Sequence, residues 1–502
     1  MTCSRRSRSF AARISAWSSS SETTVDAKIA RRRQLHHSKV KVGIITLGCD
    51  KNTVDSERYL AQLSDYSAEY TSELSEAEII IVNTCGFIDA AKKESIDAML
   101  EAAGFKTSGC CQAVVAVGCM IERHKEELVD TLPEVDLFLG SSEMQMLVPQ
   151  LAERGLLGEP TEALHPGVRL YTGDLPHVRY MKISEGCDHG CAFCAIPLMR
   201  GKHRSFALDE VVREAQLLEL QGARELNLVA QDLAHYGRDR NDGIKLPDVL
   251  QALVAGTSIP WIRMLYLYSA GITDRLLDVV AREDRVLPYL DMPIQHGSDL
   301  VLARMRRPER KRTIRERVNK FRGAVPNVAI RTTCIVGFPG ETEQQFEELL
   351  EFLEEMQFER VGAFTYSAQE GTRAAQYQDD VPETVKRERL ERLTELQRMI
   401  TAEKYESRTG RTALALVDRS HQALGTSQAR LPWQADDVDG VTQIDVALPP
   451  GTIAEVAVEE VVDDYDFQAS VIRVAQPLGV PERHRVTRQL PIKQVTIGSY
   501  GR

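Results

Sequence analysis

Short apolar runs rich in β-branched residues alternate with longer stretches of helical period along most of the chain. Residues 41–48 (KVGIITLG), 78–82 (EIIIV) and 113–117 (AVVAV) are three such runs. Helical patterns follow them at 52–63, at 89 to about 103, and from about 121. Runs this short, bounded by Gly or polar residues, predict buried strands. Strand–helix alternation predicts a parallel sheet with crossover helices. Such a sheet places its ligand site at the carboxyl ends of the strands.

A connection with Pro and Gly punctuation spans about 141–175, and then a longer series begins. Its strands are expected at 178–183, 226–230, 262–268, 289–292, 328–336 and 360–366, with helices such as 208–221 and 343–356 between them. Six β/α units predict an open partial (β/α)6 barrel of TIM type, with the site at its C-terminal mouth. A charged helical stretch follows at 381–406. The texture then changes to short β-rich pieces at 412–417, 444–446, 455–462 and 469–474, split by Gly and Pro. These predict a small antiparallel, OB-like β-barrel. The expected organisation is an α/β chain: an extension at 1–40, an N-terminal parallel-sheet α/β domain at 41–165, the central barrel at 173–405, the small barrel at 406–474, and a tail at 475–502.

Composition refines this picture in two places. Residues 1–40 hold nine Lys/Arg, two Asp/Glu and nine Ser. That balance suits an organelle transit peptide or a plain disordered extension. The second is expected, with a cytoplasmic protein, because nothing else calls for an organelle. The whole chain carries a formal charge of −11, and residues 408–474 hold five basic and eleven acidic residues, with acidic runs at 436–439 and 463–464. An acidic body disfavours nonspecific nucleic-acid binding, which needs cations to neutralise phosphate. The acidic runs are open to two readings, a solvated face or a docking surface for a basic protein. No apolar run approaches the ~20 residues of a membrane span.

The cysteines supply the chemistry. Cys187, Cys191 and Cys194 stand at spacing C-x3-C-x2-C just past an expected strand. Three thiolates on one tight loop can hold three corners of a 4Fe–4S cluster and leave the fourth iron open. Zinc sites more often use distant C-x2-C pairs. Cys49, Cys85 and Cys119 each lie just past one of the first three strands, so the sheet would bring them to one edge as a second cluster site. Buried structural cysteines are the alternative for these three. Cys110, Cys111 and Cys334 are expected to be structural.

The C-x3-C-x2-C loop resembles that of the radical S-adenosylmethionine (SAM) enzymes. Over about 41–474 the chain resembles the methylthiotransferases of that superfamily, whose last domain is a TRAM barrel. The stretches LGCDKN (47–52) with VDSE (54–57), NTCGFI (83–88) and YLDMPIQH (289–296) resemble the ribosomal, RimO branch more than the tRNA-modifying, MiaB-like branch. The resemblance implies two 4Fe–4S clusters and SAM. In the radical site the open iron chelates the methionine moiety, and one electron yields a 5′-deoxyadenosyl radical. It implies methylthiolation at the β-carbon of an aspartate in small-subunit ribosomal protein S-twelve, with an electron donor such as flavodoxin or ferredoxin and no tRNA. The alternatives are a tRNA methylthiotransferase and a non-catalytic iron–sulfur factor of the ribosome. By the same resemblance Cys187, Cys191 and Cys194 hold the radical cluster, and Cys49, Cys85 and Cys119 an auxiliary one. Phe193 packs over the cluster or adenine, or serves the core. Gln231 meets the methionine amino group. Gly337 and Gly340 let the backbone approach the adenosine, or simply turn the chain. Gln295 and His296 line the mouth, or His296 is structural. Two residues depart from the pattern: Asp50 stands where proline is usual, and Leu233 where threonine is common.

Overall fold

The computed structural model describes residues 39–476, apart from 67, 159, 161–168, 172 and 437. The expectations for the N-terminal extension and for the tail beyond 476 lie outside the described residues.

The first three apolar runs form β1 (Val40–Thr46), β3 (Ile79–Thr84) and β4 (Ala113–Gly118). Two short strands escaped the sequence pattern: β2 (Ala68–Tyr70) and β5 (Leu137–Gly140). The sheet is parallel throughout, in the order β2-β1-β3-β4-β5. Both faces are covered, which is why its strands show no polar alternation. Ile79, Ile81 and Val115 pack with Tyr59, Leu60 and Leu151 on one side. Ile80, Val82 and Val114 pack with Met99, Ala102 and Leu128 on the other. The chain runs outward from β1 to β2, then crosses to β3 on β1's other flank. That reversal makes the carboxyl ends of β1 and β3 a topological switch point, where such sheets open a crevice.

The second sheet follows chain order: β6 (Val178–Lys182), β9 (Glu225–Val229), β10 (Trp261–Met264), β11 (Val286–Asp291), β12 (Ala329–Val336) and β13 (Arg360–Thr365), all parallel. It is the six-stranded open barrel that the pattern predicts. Its outward residues, such as Met181, Leu228, Ile262 and Ile330, pack under helices through Val211, Leu250, Val318 and Phe346. The helices start on local signals. Thr342 accepts from the Gln345 N–H, and the Gln345 side chain accepts from Thr342, a capping box ahead of Glu343–Met356. A two-residue ribbon, β7 (Ser184–Glu185) with β8 (Arg204–Ser205), closes the cysteine loop at its base.

Five strands close the terminal barrel in the order β14-β15-β16-β18-β17: β14 (Thr412–His421), β15 (Thr426–Arg430), β16 (Thr442–Ile444), β17 (Ile453–Val462) and β18 (Asp466–Gln476). The expectation of a purely antiparallel barrel needs one correction. β16 and β18 pair in parallel, because β17 intervenes before the chain returns to β16. This barrel lies against the inner face of the open one, where Leu416, Ala435 and Ile453 meet Trp261, Leu287 and Tyr289. A buried ion network crosses the contact. Arg430 pairs with Glu225 (2.7 Å) and Asp418 (2.6 Å), Asp418 with His177 (2.9 Å), and Glu225 with Arg263 (2.8 Å). Two members of the acidic run at 436–439 are therefore engaged with the open barrel rather than left to solvent. Asp439 is buried and accepts from Tyr289 Oη (2.5 Å), and Tyr180 Oη reaches Asp436 (3.4 Å).

Removing one member of a sealed ion network leaves its partners charged in a low dielectric, at a cost of about 3–5 kcal/mol. Arg430→Met should therefore lower the chemical-denaturation midpoint clearly, with Asp418 and Glu225 left uncompensated. An unchanged midpoint would contradict a charged network here.

Candidate iron–sulfur and SAM site

Cys49, Cys85 and Cys119 sit at the carboxyl ends of β1, β3 and β4, three adjacent strands. Two glycines make the convergence possible. Gly48 (φ 89°) and Gly118 (φ 102°) immediately precede Cys49 and Cys119 in conformations that disfavour a Cβ. A Cβ on Gly48 would lie 2.9 Å from the Cys85 sulfur, and one on Gly118 would lie 2.8 Å from the Thr84 carbonyl oxygen. Cys49 caps the helix Asp50–Ser64 and Cys119 opens the helix Cys119–Thr131. Both therefore stand at positive helix ends, which favour bound anions. Asn52 fastens the arrangement by donating to the Leu47 (2.7 Å) and Thr84 (3.1 Å) carbonyls, just ahead of the first two cysteine turns.

Cys187, Cys191 and Cys194 occupy the loop between β7 and the short helix Ile196–Arg200. The loop is tied down on two sides. Ala192 N–H donates to the Met305 carbonyl (2.9 Å) and Cys187 N–H to that of Gly201 (3.1 Å). His189, between the first two cysteines, pairs with Asp232 (2.8 Å) and stacks on Tyr268. Arg307 is buried, lies over Tyr268, and brings a cation 3.8 Å from the Cys191 sulfur. His189, Asp232 and His235 bring ligand atoms within 4.8 Å of one another, the spacing of a single-ion site.

The mouth of the open barrel carries buried polar atoms without protein partners, including Gln231 Oε1, Gln295 Oε1 and Tyr366 Oη. Orphaned polar groups are costly unless a ligand or water completes them, so a polar ligand such as SAM fits this edge. Gln231 lies two residues past the end of β9, its side-chain nitrogen donating to Glu185 (2.8 Å). Gln295 holds a left-handed φ of 74° while its backbone pairs with β12, an irregularity of the kind found at ligand sites. Phe193 joins Phe338, Tyr366 and Met305 in a small cluster beside the radical loop. Gly337 (φ 69°) and Gly340 (φ 76°) form a turn closed by Glu341, which caps Phe338 N–H and pairs with Arg389. A Cβ on Gly337 would run into Lys386, and one on Gly340 into Arg304. His296 is sealed, accepting from Ser298 N–H (2.9 Å) and lying 3.3 Å from Glu341. Cys334 lies buried within β12, as expected of a core cysteine.

Burial dominates two thiols of each triad. It pushes Cys194 up to about 12 and Cys187 to about 11. Burial likewise drives Cys85 to about 12 and Cys119 to about 11, with the nearby Cys49 adding to both. Without metal these thiols stay protonated near neutrality; iron must displace the protons.

Two family models match the chain: an uncharacterized protein family, UPF0004, over residues 41–140, and the radical SAM superfamily over 181–353. Among curated proteins the chain is 40% identical over 465 residues to the ribosomal protein uS12 methylthiotransferase RimO of an Anaeromyxobacter species, covering 90% of this chain and 99% of that one. It is 42% identical to the protein of that name from Desulforudis audaxviator, covering 86% and 97%. The chain belongs to the RimO family. It is a radical SAM methylthiotransferase with a 4Fe–4S cluster and SAM. Among solved structures it is similar to the radical SAM methyltransferase TsrM of Kitasatospora setae, at TM-score 0.49 and 13% identity over 65% of this chain and 73% of that one.

Within this RimO framework, Cys49, Cys85 and Cys119 lie near one another, as do Cys187, Cys191 and Cys194, and Cys119 packs against Ala195 and Met199 beyond the radical loop. The structure also gives roles to residues to which the sequence had assigned none: Glu185, Arg307, Tyr266 and Asp55. Tyr266, at a left-handed φ of 64°, sends its hydroxyl to Asp50 (3.3 Å). The aspartate that departs from the RimO pattern thus has a partner across the site. Leu233, the other departure, is buried in the turn Leu233–His235 and points into the barrel core. Arg200 was visible only as a basic residue after the loop.

The raised thiol pKa values have a testable consequence in the metal-free chain. A pKa near 11 leaves only about a thousandth of Cys187 as thiolate at pH 8. Alkylation of Cys187 and Cys194, read by mass spectrometry, should keep rising about tenfold per pH unit from 7 to 10. A plateau near pH 9, as for an ordinary thiol, would overturn the burial argument.

Proposed function

We propose that this chain replaces a hydrogen on the β-carbon of an aspartate in ribosomal protein uS12 with a methylthio group. In this reading Cys49, Cys85 and Cys119 hold a second 4Fe–4S cluster, where the sulfur to be transferred is presented. The observation that carries it is the convergence of those three cysteines at the switch point of the N-terminal sheet, facing the radical loop through Arg200. A passive iron store has no need of two such triads side by side.

The target carbon is unactivated, and no side chain of ordinary pKa can remove its proton, so a cofactor must carry that step. The radical cluster, when bound, supplies one-electron cleavage of SAM. The protein's own residues do the rest. Arg307 holds a cation against the radical thiolates. Gln231, Gln295 and Tyr366 offer polar atoms to SAM. Tyr266 and Asp50 join the barrel mouth to the auxiliary loop.

A protein substrate is favoured over tRNA by the state of the terminal barrel's cations. Arg430 is sealed in the ion network, Arg408 is buried against Trp433, Arg473 pairs with Glu455 and Arg411 with Asn327. Such a barrel offers phosphates few free partners. The electron donor in this reading is a flavodoxin or ferredoxin.

The test is anaerobic reconstitution followed by incubation with small ribosomal subunits, and separately with tRNA. A gain of ~46 mass units on uS12, localised by fragmentation to an aspartate, is expected of methylthio for hydrogen in a cofactor-borne step. A gain on tRNA alone would overturn the substrate. Cys49→Ala should lower bound iron by about half if two similar clusters are held; unchanged iron would refute the auxiliary site.

A further inference from the structure

Arg200 leaves the radical loop and ends in the other cluster's site. It is the last residue of the helix Ile196–Arg200, six positions beyond Cys194, and its side chain is 4% exposed. Its Nε donates to the Cys119 sulfur (3.0 Å) and its Nη2 to Asn52 Oδ1 (2.6 Å), the amide that fastens the Cys49 and Cys85 turns. Its Nη1 donates to Asp55 (2.7 Å) in the N-terminal domain and reaches Glu185 (3.4 Å) in the barrel. Glu185 in turn accepts from Gln231 at the barrel mouth. Lys182 completes the group, 2.5 Å from both Asp55 and Glu185.

The group is thus two cations against two carboxylates, sealed at the seam between the two domains. A guanidinium is suited to this place: it stays charged, and its planar fork serves several acceptors at once. Its charge stands directly beside one auxiliary thiolate. Hydrogen bonds and positive charge at cluster sulfurs stabilise the reduced, more negative state and so raise the reduction potential.

We propose that Arg200 is a positioning residue that couples the two sites: it raises the potential of the auxiliary cluster through Cys119 and fixes that cluster relative to the radical loop. This rests on the reading of Cys49, Cys85 and Cys119 as a cluster site. It acts through the thiolate, and no reacting atom need touch it.

The experiment compares the reconstituted full chain with Arg200→Lys and Arg200→Gln. Lysine keeps a cation for Asp55 and Glu185 but cannot serve Cys119 and Asn52 together; glutamine removes the charge. Bound iron, potentiometric titration followed by electron paramagnetic resonance, and SAM cleavage without substrate are measured on each. In Arg200→Gln the midpoint of one cluster should fall while that of the other stays, with Arg200→Lys between the two. SAM cleavage should remain within about threefold, and methylthio transfer should fall at least tenfold. If the wild type binds iron for only one cluster, the auxiliary reading itself fails. If it binds iron for two and both midpoints are unmoved in both variants, the role assigned to Arg200 fails while the two clusters stand. A merely structural role would lower the melting temperature and leave both midpoints in place, and that result also overturns the proposal.

Discussion

Two separate sheets must present their carboxyl edges to one another, and a buried quartet of charges holds them there. Asp55 from the N-terminal domain meets Lys182, Glu185 and Arg200 from the barrel, with no bulk water to screen them. Burial alone would raise the Glu185 carboxyl, yet Lys182 and Arg200 outweigh it and hold Glu185 at about 2. Arg200 is driven the opposite way, well above its ordinary value, by Asp55 and the neighbouring thiols against the effect of burial. Such a group adds little net stability, since desolvation offsets most of its attraction. Its value is register: any sliding of one domain over the other would strand a charge in a low dielectric.

A second network repeats the device below the first. Arg169 and Arg179 converge on Glu57, from the same helix that carries Asn52 and Asp55. One helix, Asp50–Ser64, therefore bears the cap residue of the first cysteine turn, the amide that ties two cysteine turns, and both carboxylates that grip the barrel. This explains why Asn52, Asp55, Ser56 and Glu57 are buried on a helix whose sequence looks polar. Asp55 and Glu57 have partners on β6, at Arg169 and beside the radical loop, whereas Ser56 and the Asn52 amide bond mainly to Thr46, Leu47, Asn83 and Thr84 of their own domain, so the helix is polar both at the seam and against its own strand ends.

The parts of the chain legible in sequence are those governed by local physics. Apolar runs such as EIIIV and AVVAV can only be strands buried on both faces, and cysteines past three of them must meet if the sheet is parallel. The short edge strands β2 and β5 gave no such signal, because three or four residues do not establish a period. The site residues that escaped notice are charged ones, Asp55, Glu185 and Arg307. A charge in a sequence looks like a solvated surface until its partner is known, and these partners lie between 2 and more than 100 positions away. The turn at 337–341 shows the reverse case. Its glycines are needed where Lys386 and Arg304 press on the chain, so their presence does not by itself require a nucleoside nearby.

Charge counting over the terminal barrel meets the same limit, and correcting it sharpens the question of the partner. Of the acidic residues there, Asp418 and Asp439 are consumed in buried pairs, Asp436 reaches Tyr180, and Asp464 pairs with Arg398. Among the described residues of the barrel, the exposed acidic side chains are Asp445, beyond β16, and Glu459, Glu460 and Asp463, at the far end of β17 and the turn into β18. A basic segment attracted to this barrel would meet the field of these exposed carboxylates, Glu459, Glu460 and Asp463 being the densest group of them. Part of the barrel's acidity thus stands in water, densest at one hairpin, while Asp418, Asp436, Asp439 and Arg430 serve to seat it against the inner face of the radical domain.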